Sequence, residues 1–230
     1  MTRRALSRGR IIDAAIRIAD DDGFAAVALR RIAADLGVHV TSLYNHVPNF
    51  EAVIEGMLES LLLEAKLPTN PTTWQRWVEE FMGAIDTIAR THPGAFGAFE
   101  HRPAQGPAAA RTFEVGLEAF GDAGLDTADA YCAVKTVVLT SIGIGIEQAG
   151  LARIGPLTTD VASLPAQEFR RLRSLPEVAY DANVVTFAVE TTVAGLGARL
   201  GGGPGLPSVA VTSPPPAPAG RDGRGGRRRR

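Results

Sequence analysis

An all-α fold is predicted for this chain of 230 residues, and three features carry that expectation. Apolar residues recur at three- and four-residue intervals from residue 11 to about residue 200. The periodic runs are bounded by residues that start or stop helices, among them Ser7, Gly23, Gly37, Asn49 and Pro93. No alternating strand pattern, two-residue hairpin turn or fixed-period repeat interrupts them.

Ser7 caps a first helix whose apolar face is Ile11, Ile12, Ala15, Ile16, Ile18 and Ala19, and Asp22-Gly23 ends it. A second, Leu29 to Leu36, places Ile32, Ala33 and Leu36 on one side. Gly37 follows, then a third from about Val40 to Val47. Asn49 caps a fourth, Phe50 to about Lys66, with Glu51 in its first turn where the helix dipole favours a carboxylate.

Beyond the break Pro68 to Pro71, Thr72 and Gln75 form a capping box. The face Trp74, Trp77, Phe81, Ile85 and Ile88 then runs to Thr91-His92-Pro93. A short segment with Phe96 and Phe99 ends at Arg102-Pro103, and a helix with Phe113, Leu117 and Phe120 stops at Gly121-Asp122. The segment after Asp126 is apolar on more than one side, so other elements must cover it. After a connection around 155–165, Ser174, Pro176 and Glu177 start a helix with Val178, Val185, Val189, Val193 and Leu196 on its buried side. These two long helices serve either one protomer's core or a core shared by two.

From Gly201 the composition changes to eight glycines, six prolines and six arginines in 201–230, which cannot bury enough surface to offset ordering. The organisation expected is therefore 1–48, 49–200 with helix 49–66 as connector, and a disordered tail 201–230. The tail's arginines are either simply solvated or in contact with nucleic-acid phosphates.

The formal net charge of -1 is unevenly spread: four of the eight basic residues in 1–66 are Arg3, Arg4, Arg8 and Arg10, and the last ten residues carry six arginines. Bulk charge gives no polyanion binder; only the ends attract phosphate. The single cysteine, Cys132, excludes an internal disulfide and multi-cysteine metal sites, and is expected as a small buried hydrophobe. No signal-peptide core opens the chain and no run of 18 apolar residues occurs, so a cytoplasmic protein without a membrane partner is expected.

An enzyme finds no support. There is no nucleophile elbow, no phosphate-cradling glycine loop and no partner base for Cys132. "DDDG" at Asp20 to Gly23 lacks a twelfth-position glutamate and reads as a solvated helix end. His92 and His101 read as loop-surface or capping residues, without a metal-spaced set around them. No metal and no cofactor is expected.

The most informative segment is "RRIAADLGVHVTSLYNHVPN", Arg30 to Asn49. Two short helices about Gly37, with Ile32, Ala33, Leu36, Val38 and Leu43 inward, have helix-turn-helix spacing. Ala33 keeps the crossing close. The other side of the second helix carries Thr41, Ser42, Asn45 and His46, beside His39 and Tyr44, side chains suited to base edges and phosphate oxygens.

The stretch "IIDAAIRIADDDGFAAVALRRIAADLGVHVTSLYNHVPNFEAVIEGML" resembles the N-terminal DNA-binding domain of the tetracycline-repressor (TetR) family of bacterial transcriptional regulators, over roughly residues 7 to 65. The resemblance implies a three-helix DNA head, a connecting helix, and a helical ligand-sensing and dimerising body. It implies His39, Thr41, Ser42 and Asn45 at bases, and Arg30, Tyr44 and His46 at the DNA backbone; the basic arm adds Arg3 and Arg4 as further backbone contacts. Val134, Val138, Ile142, Val185, Val189 and Val193 would lie in a homodimer interface. Trp77, Phe81, Phe96, Phe99, Phe113, Phe120 and Glu147 divide between core packing and a pocket for a small apolar or amphipathic effector.

Three departures matter. Ala28 stands where the family has a capping threonine, and Phe50 where many members have a phosphate-binding lysine. Ala98 stands where tetracycline-binding members place a magnesium-ligating imidazole, which disfavours that drug. The expected function is an effector-released repressor, homodimeric on palindromic double-stranded operator DNA. The alternatives are an activator or ligand-independent regulator of the same fold, or a scaffold that does not bind DNA.

Overall fold

The computed structural model describes residues 5–154, 163–174 and 184–201, and among them there are helices, turns and no strand. The helices are α1 (Arg8–Asp22), α2 (Leu29–Leu36), α3 (Val40–Leu43), α4 (Phe50–Glu64), α5 (Trp74–Thr91), α6 (Ala98–His101), α7 (Pro107–Asp122), α8 (Thr127–Ile154), α9 (Arg170–Arg173) and α10 (Val184–Leu200). Short 3-10 turns occupy Phe24–Ala26 and Ala95–Gly97. Arg3, Arg4, the tail beyond Gly201, and Pro176, Glu177 and Val178 lie outside the described residues.

The caps explain most boundaries. Ser7 Oγ accepts from Arg10 N at 3.3 Å, and Asn49 Oδ1 accepts from Ala52 N at 2.8 Å. At α5 the cap is Thr73, whose Oγ1 accepts from Arg76 N at 3.2 Å, so the start lies one residue later than the Thr72 capping box implied. Both positions are threonine; burial of Trp74 and Trp77 selects the register that turns both rings inward.

Helices α1 to α3 form a head around Ile11, Ile18, Ile32, Leu43 and Val47, all essentially inaccessible to solvent. Ala33 is buried at the crossing, as its size requires. Arg17 donates twice to Asp35, at 2.8 and 2.9 Å, pinning α1 to α2; these bonds are the main reason the Asp35 carboxyl lies below its ordinary range.

In the body, α8 packs against α5, α7 and α10. Trp77 stacks on Phe81 with ring centroids 5.3 Å apart and meets Phe120 edge-on at 5.8 Å. By length and composition alone Thr127–Arg153 could cross a membrane. Its Ala133, Val134 and Val137 are instead core residues of the bundle. Cys132, expected inside, is exposed on α8, as is Thr136 one turn on.

Head and body are joined by several direct contacts. Gly94 presses on the end of α1, where a Cβ would lie 1.8 Å from the carbonyl oxygen of Ala19. Arg102 Nη2 donates to Glu55 Oε1 at 3.2 Å, and the ring of His101 lies over Phe24 with centroids 4.4 Å apart. Asp20, expected in solvent, accepts from Ala95 N at 2.9 Å through Oδ1 and faces His92 through Oδ2.

Candidate functional site

The unit around Gly37 is built by backbone geometry and two anchors. Gly37 takes the left-handed conformation, φ 64° and ψ 38°, which turns the chain between α2 and α3 at no Cβ penalty. Ala28 occupies the N-cap of α2 in extended conformation and offers no side-chain bond to the orphan N–H groups. Helix α3 is shorter than the Val40 to Val47 expected: it ends at Leu43, and Tyr44 to His46 form a turn held by bonds from His46 N and Val47 N to Leu43 O, both 2.9 Å. Pro48, which disfavours a helical conformation at Val47, separates this turn from α4.

Leu43 and Val47 are fully buried, so the segment is fixed from below. Above them His39, Thr41, Asn45 and His46 are exposed, and Tyr44 is 52% exposed despite its size. Ser42 is half-buried and Arg30 stands exposed on α2. Among the described residues none of these seven side chains has a hydrogen-bond or ion-pair partner. An ordered surface with this many unused donors and acceptors fits a polar partner that supplies the complements.

A second feature is an open-mouthed cavity of about 360 Å³ between α4, α5, α6, α7 and α8. Phe81, Ile85, Phe99, Phe113 and Ile142 make it mainly apolar, and Thr112, Arg102 and Lys135 bring polar groups to the wall. The volume falls within the range of small-molecule sites.

The description "Bacterial regulatory proteins, tetR family" matches residues 11–56, which contain α2, Gly37 and α3. An HTH-type transcriptional regulator of Saccharopolyspora erythraea is 31% identical over 145 residues, 61% of each chain. The HTH-type transcriptional repressor DrrR1 of Streptomyces coeruleorubidus is 30% identical over 106 residues, 45% of this chain and 39% of that one. The chain thus spans less than two thirds of the length of either relative. Apo ActR from Streptomyces coelicolor superposes with a TM-score of 0.70 at 25% identity, covering 86% of this chain and 97% of ActR. ActR has also been seen in complex with actinorhodin, a structure matching at TM-score 0.71, 24% identity, 85% of this chain and 97% of that one.

Residues 11–56 of this chain thus match the tetR family of bacterial regulatory proteins. The all-helical architecture, with a helix-turn-helix head and a helical C-terminal part, is the one its structural neighbours share.

The residues singled out from sequence separate into distinct places. Phe81, Phe99 and Phe113 line the cavity. Trp77, Phe96 and Phe120 do not; each is fully buried in the aromatic packing. Glu147 is exposed and outside the wall. Of the residues expected between subunits, Val134 is 0% exposed inside its own protomer, and Val138 and Ile142 border the cavity. Val185, Val189 and Val193 are half-buried against this protomer's core. The reason is rotational: α8 and α10 are apolar all round, and the faces left outward carry Leu139, Val184 and Phe187 instead.

One cluster was not anticipated. His92 occupies the cap position of α5, but its ring is mostly buried between head and body. Nδ1 lies 2.6 Å from Asp20 Oδ2 and Nε2 3.0 Å from Glu64 Oε1, so the imidazolium can donate to both carboxylates and the neutral ring to only one. Burial is the largest influence and opposes the charge, yet the bonds to Asp20 and then Glu64 outweigh it, holding the proton above the ordinary imidazole value. Its partners lie 72 and 28 residues away, so no local pattern could announce them. Among the described residues no group of three or more His, Cys, Asp or Glu is arranged to hold a metal ion.

Proposed function

We propose that this chain is a ligand-responsive transcriptional repressor of the cytoplasm. Residues 1–48 would be the DNA head and 49–200 the sensing and dimerising body. The observation that carries the reading is the ordered, exposed and unpartnered set His39, Thr41, Tyr44, Asn45 and His46 over the buried anchors Leu43 and Val47. Laid in a major groove, His39, Thr41, Ser42 and Asn45 reach base edges, and Arg30, Tyr44 and His46 reach phosphates. Arg3 and Arg4 follow the backbone. A homodimer through the outward faces of α8 and α10 covers Leu139, Val184 and Phe187 and sets two heads about 34–36 Å apart, one duplex turn, on a palindromic operator. An apolar or amphipathic effector in the cavity releases the DNA by binding better to one head separation than to the other; a coupling of about 1–3 kcal/mol is enough. The chemistry is binding alone, with no catalysis.

Selection of bound fragments from random duplex DNA by the purified chain tests this. A recovered palindrome is expected; sequence-blind, salt-independent binding would overturn the DNA reading. Removing residues 1–6 should lower the salt slope by roughly 2, one for each arginine lost, and an unchanged slope rules Arg3 and Arg4 out of the contact.

A further inference from the structure

We infer that the cavity takes an aromatic amphiphile bearing an acidic group, and that Lys135 selects the acid; this rests on the effector reading and narrows it. The wall is apolar and rich in rings, with Phe81, Phe99 and Phe113 on three different helices or turns, a lining suited to a flat conjugated ligand. What separates an acidic from a neutral ligand is the state of the polar groups, and Arg102 and Thr112 are already hydrogen-bonded. Arg102 donates to Glu55 at 3.2 Å and Gln105 at 3.4 Å. The Thr112 hydroxyl donates back to Ala108 O at 3.0 Å, and the ring of His101 lies on Phe24.

Glu100 and His101 are exposed at the mouth, which leaves Lys135 as the half-buried polar group without a hydrogen-bond or ion-pair partner among the described residues. The Lys135 side chain is half-buried and its ammonium sits 5.9 Å from the centroid of Phe113. Among the described residues no carboxylate lies within ion-pair distance of it, Glu100 included. A ring face offsets the lost hydration of an ammonium only in part. A neutral ligand filling the cavity strips that ammonium further and leaves it uncompensated, whereas an acid group on a ring beside Phe113 supplies the missing charge.

The test uses two fluorescent probes of one skeleton: anilinonaphthalene sulfonate, an anion, and N-phenylnaphthylamine, the same rings without the sulfonate. Both are titrated into the full chain, alone and in competition. The expected result is that each displaces the other, that Lys135→Met weakens the sulfonate by about tenfold or more while leaving the neutral probe unchanged, and that Lys135→Arg keeps the sulfonate. Unfolding midpoints of the variants confirm that they fold, and the competition in the unaltered chain needs no variant. If both probes bind and compete but Lys135→Met weakens neither, or both equally, the acid assignment falls and the effector cavity stands. If neither probe binds saturably, the cavity reading falls and takes the acid assignment with it.

Discussion

Head and body are made of the same kind of helix yet finish with opposite surfaces. In the head every large aliphatic side chain of the core is shut away, and what faces outward around α3 is polar and uncommitted. In the body Leu139 is 59% and Phe187 70% exposed while a void of about 360 Å³ remains within. Short helices joined by a left-handed glycine can bury one narrow stripe and leave the rest polar. Long helices apolar on all sides cannot satisfy every face against their own neighbours, so they leave both an outer apolar face and an inner gap. One region presents hydrogen bonds to a partner; the other presents shape and apolar area.

The largest test of that contrast is Trp77→Ala in the body. It removes a fully buried ring from the stack with Phe81 and Phe120 and should cost about 3–5 kcal/mol in a denaturant titration. Because Asp20 and Phe24 tie the two regions together, head and body should lose structure in one transition. Two separated transitions would break the comparison by showing independent units. Gly37→Ala in the head should cost about 1–2 kcal/mol, since φ 64° suits an L side chain poorly, and should reduce DNA retention with it.

The next expected change is a gain. Ala28 already has the extended backbone of an N-cap, φ -150° and ψ 150°, so Ala28→Thr supplies the missing oxygen and should stabilise by about 1 kcal/mol, read as a higher unfolding midpoint. The smallest effect is the pH dependence of the joint. A raised His92 value means its contribution is complete below the ordinary 6.5, down to where the carboxylates titrate, and fades as pH climbs through the raised value. Urea midpoints of the parent chain should therefore fall relative to those of His92→Gln as pH rises above the ordinary imidazole value and through the raised one. Parallel profiles would mean that His92 does not charge at this junction.

The same contrast governs how much could be read from the residues alone. Head elements were legible because caps and periodicity agree: Ser7, Asn49 and Gly37 each act as their types dictate. In α8 periodicity carries little orientation, as apolar residues surround the axis; Val134 therefore turned out inside the protomer and Cys132 outside it. Which rings line the cavity was likewise hidden, since Trp77 and Phe81 share one face of α5 and only the packing of α7 and α8 separates core from wall. Contacts between distant segments left no local trace. Glu59 of α4, for example, accepts from Ala108 N at 3.1 Å and caps α7 from 49 residues away.

Gly94 bears on how freely such proteins can be recombined. Its bare Cα lies against the peptide of Ala19, so the body accepts a foreign DNA reader only if that reader ends its first helix with an equally naked stretch of main chain. A transplanted head with every base-contacting residue intact but a displaced α1 terminus would meet this body through a steric clash. Exchange of specificity by swapping modules is thus constrained at a position that touches neither the nucleic acid nor the effector.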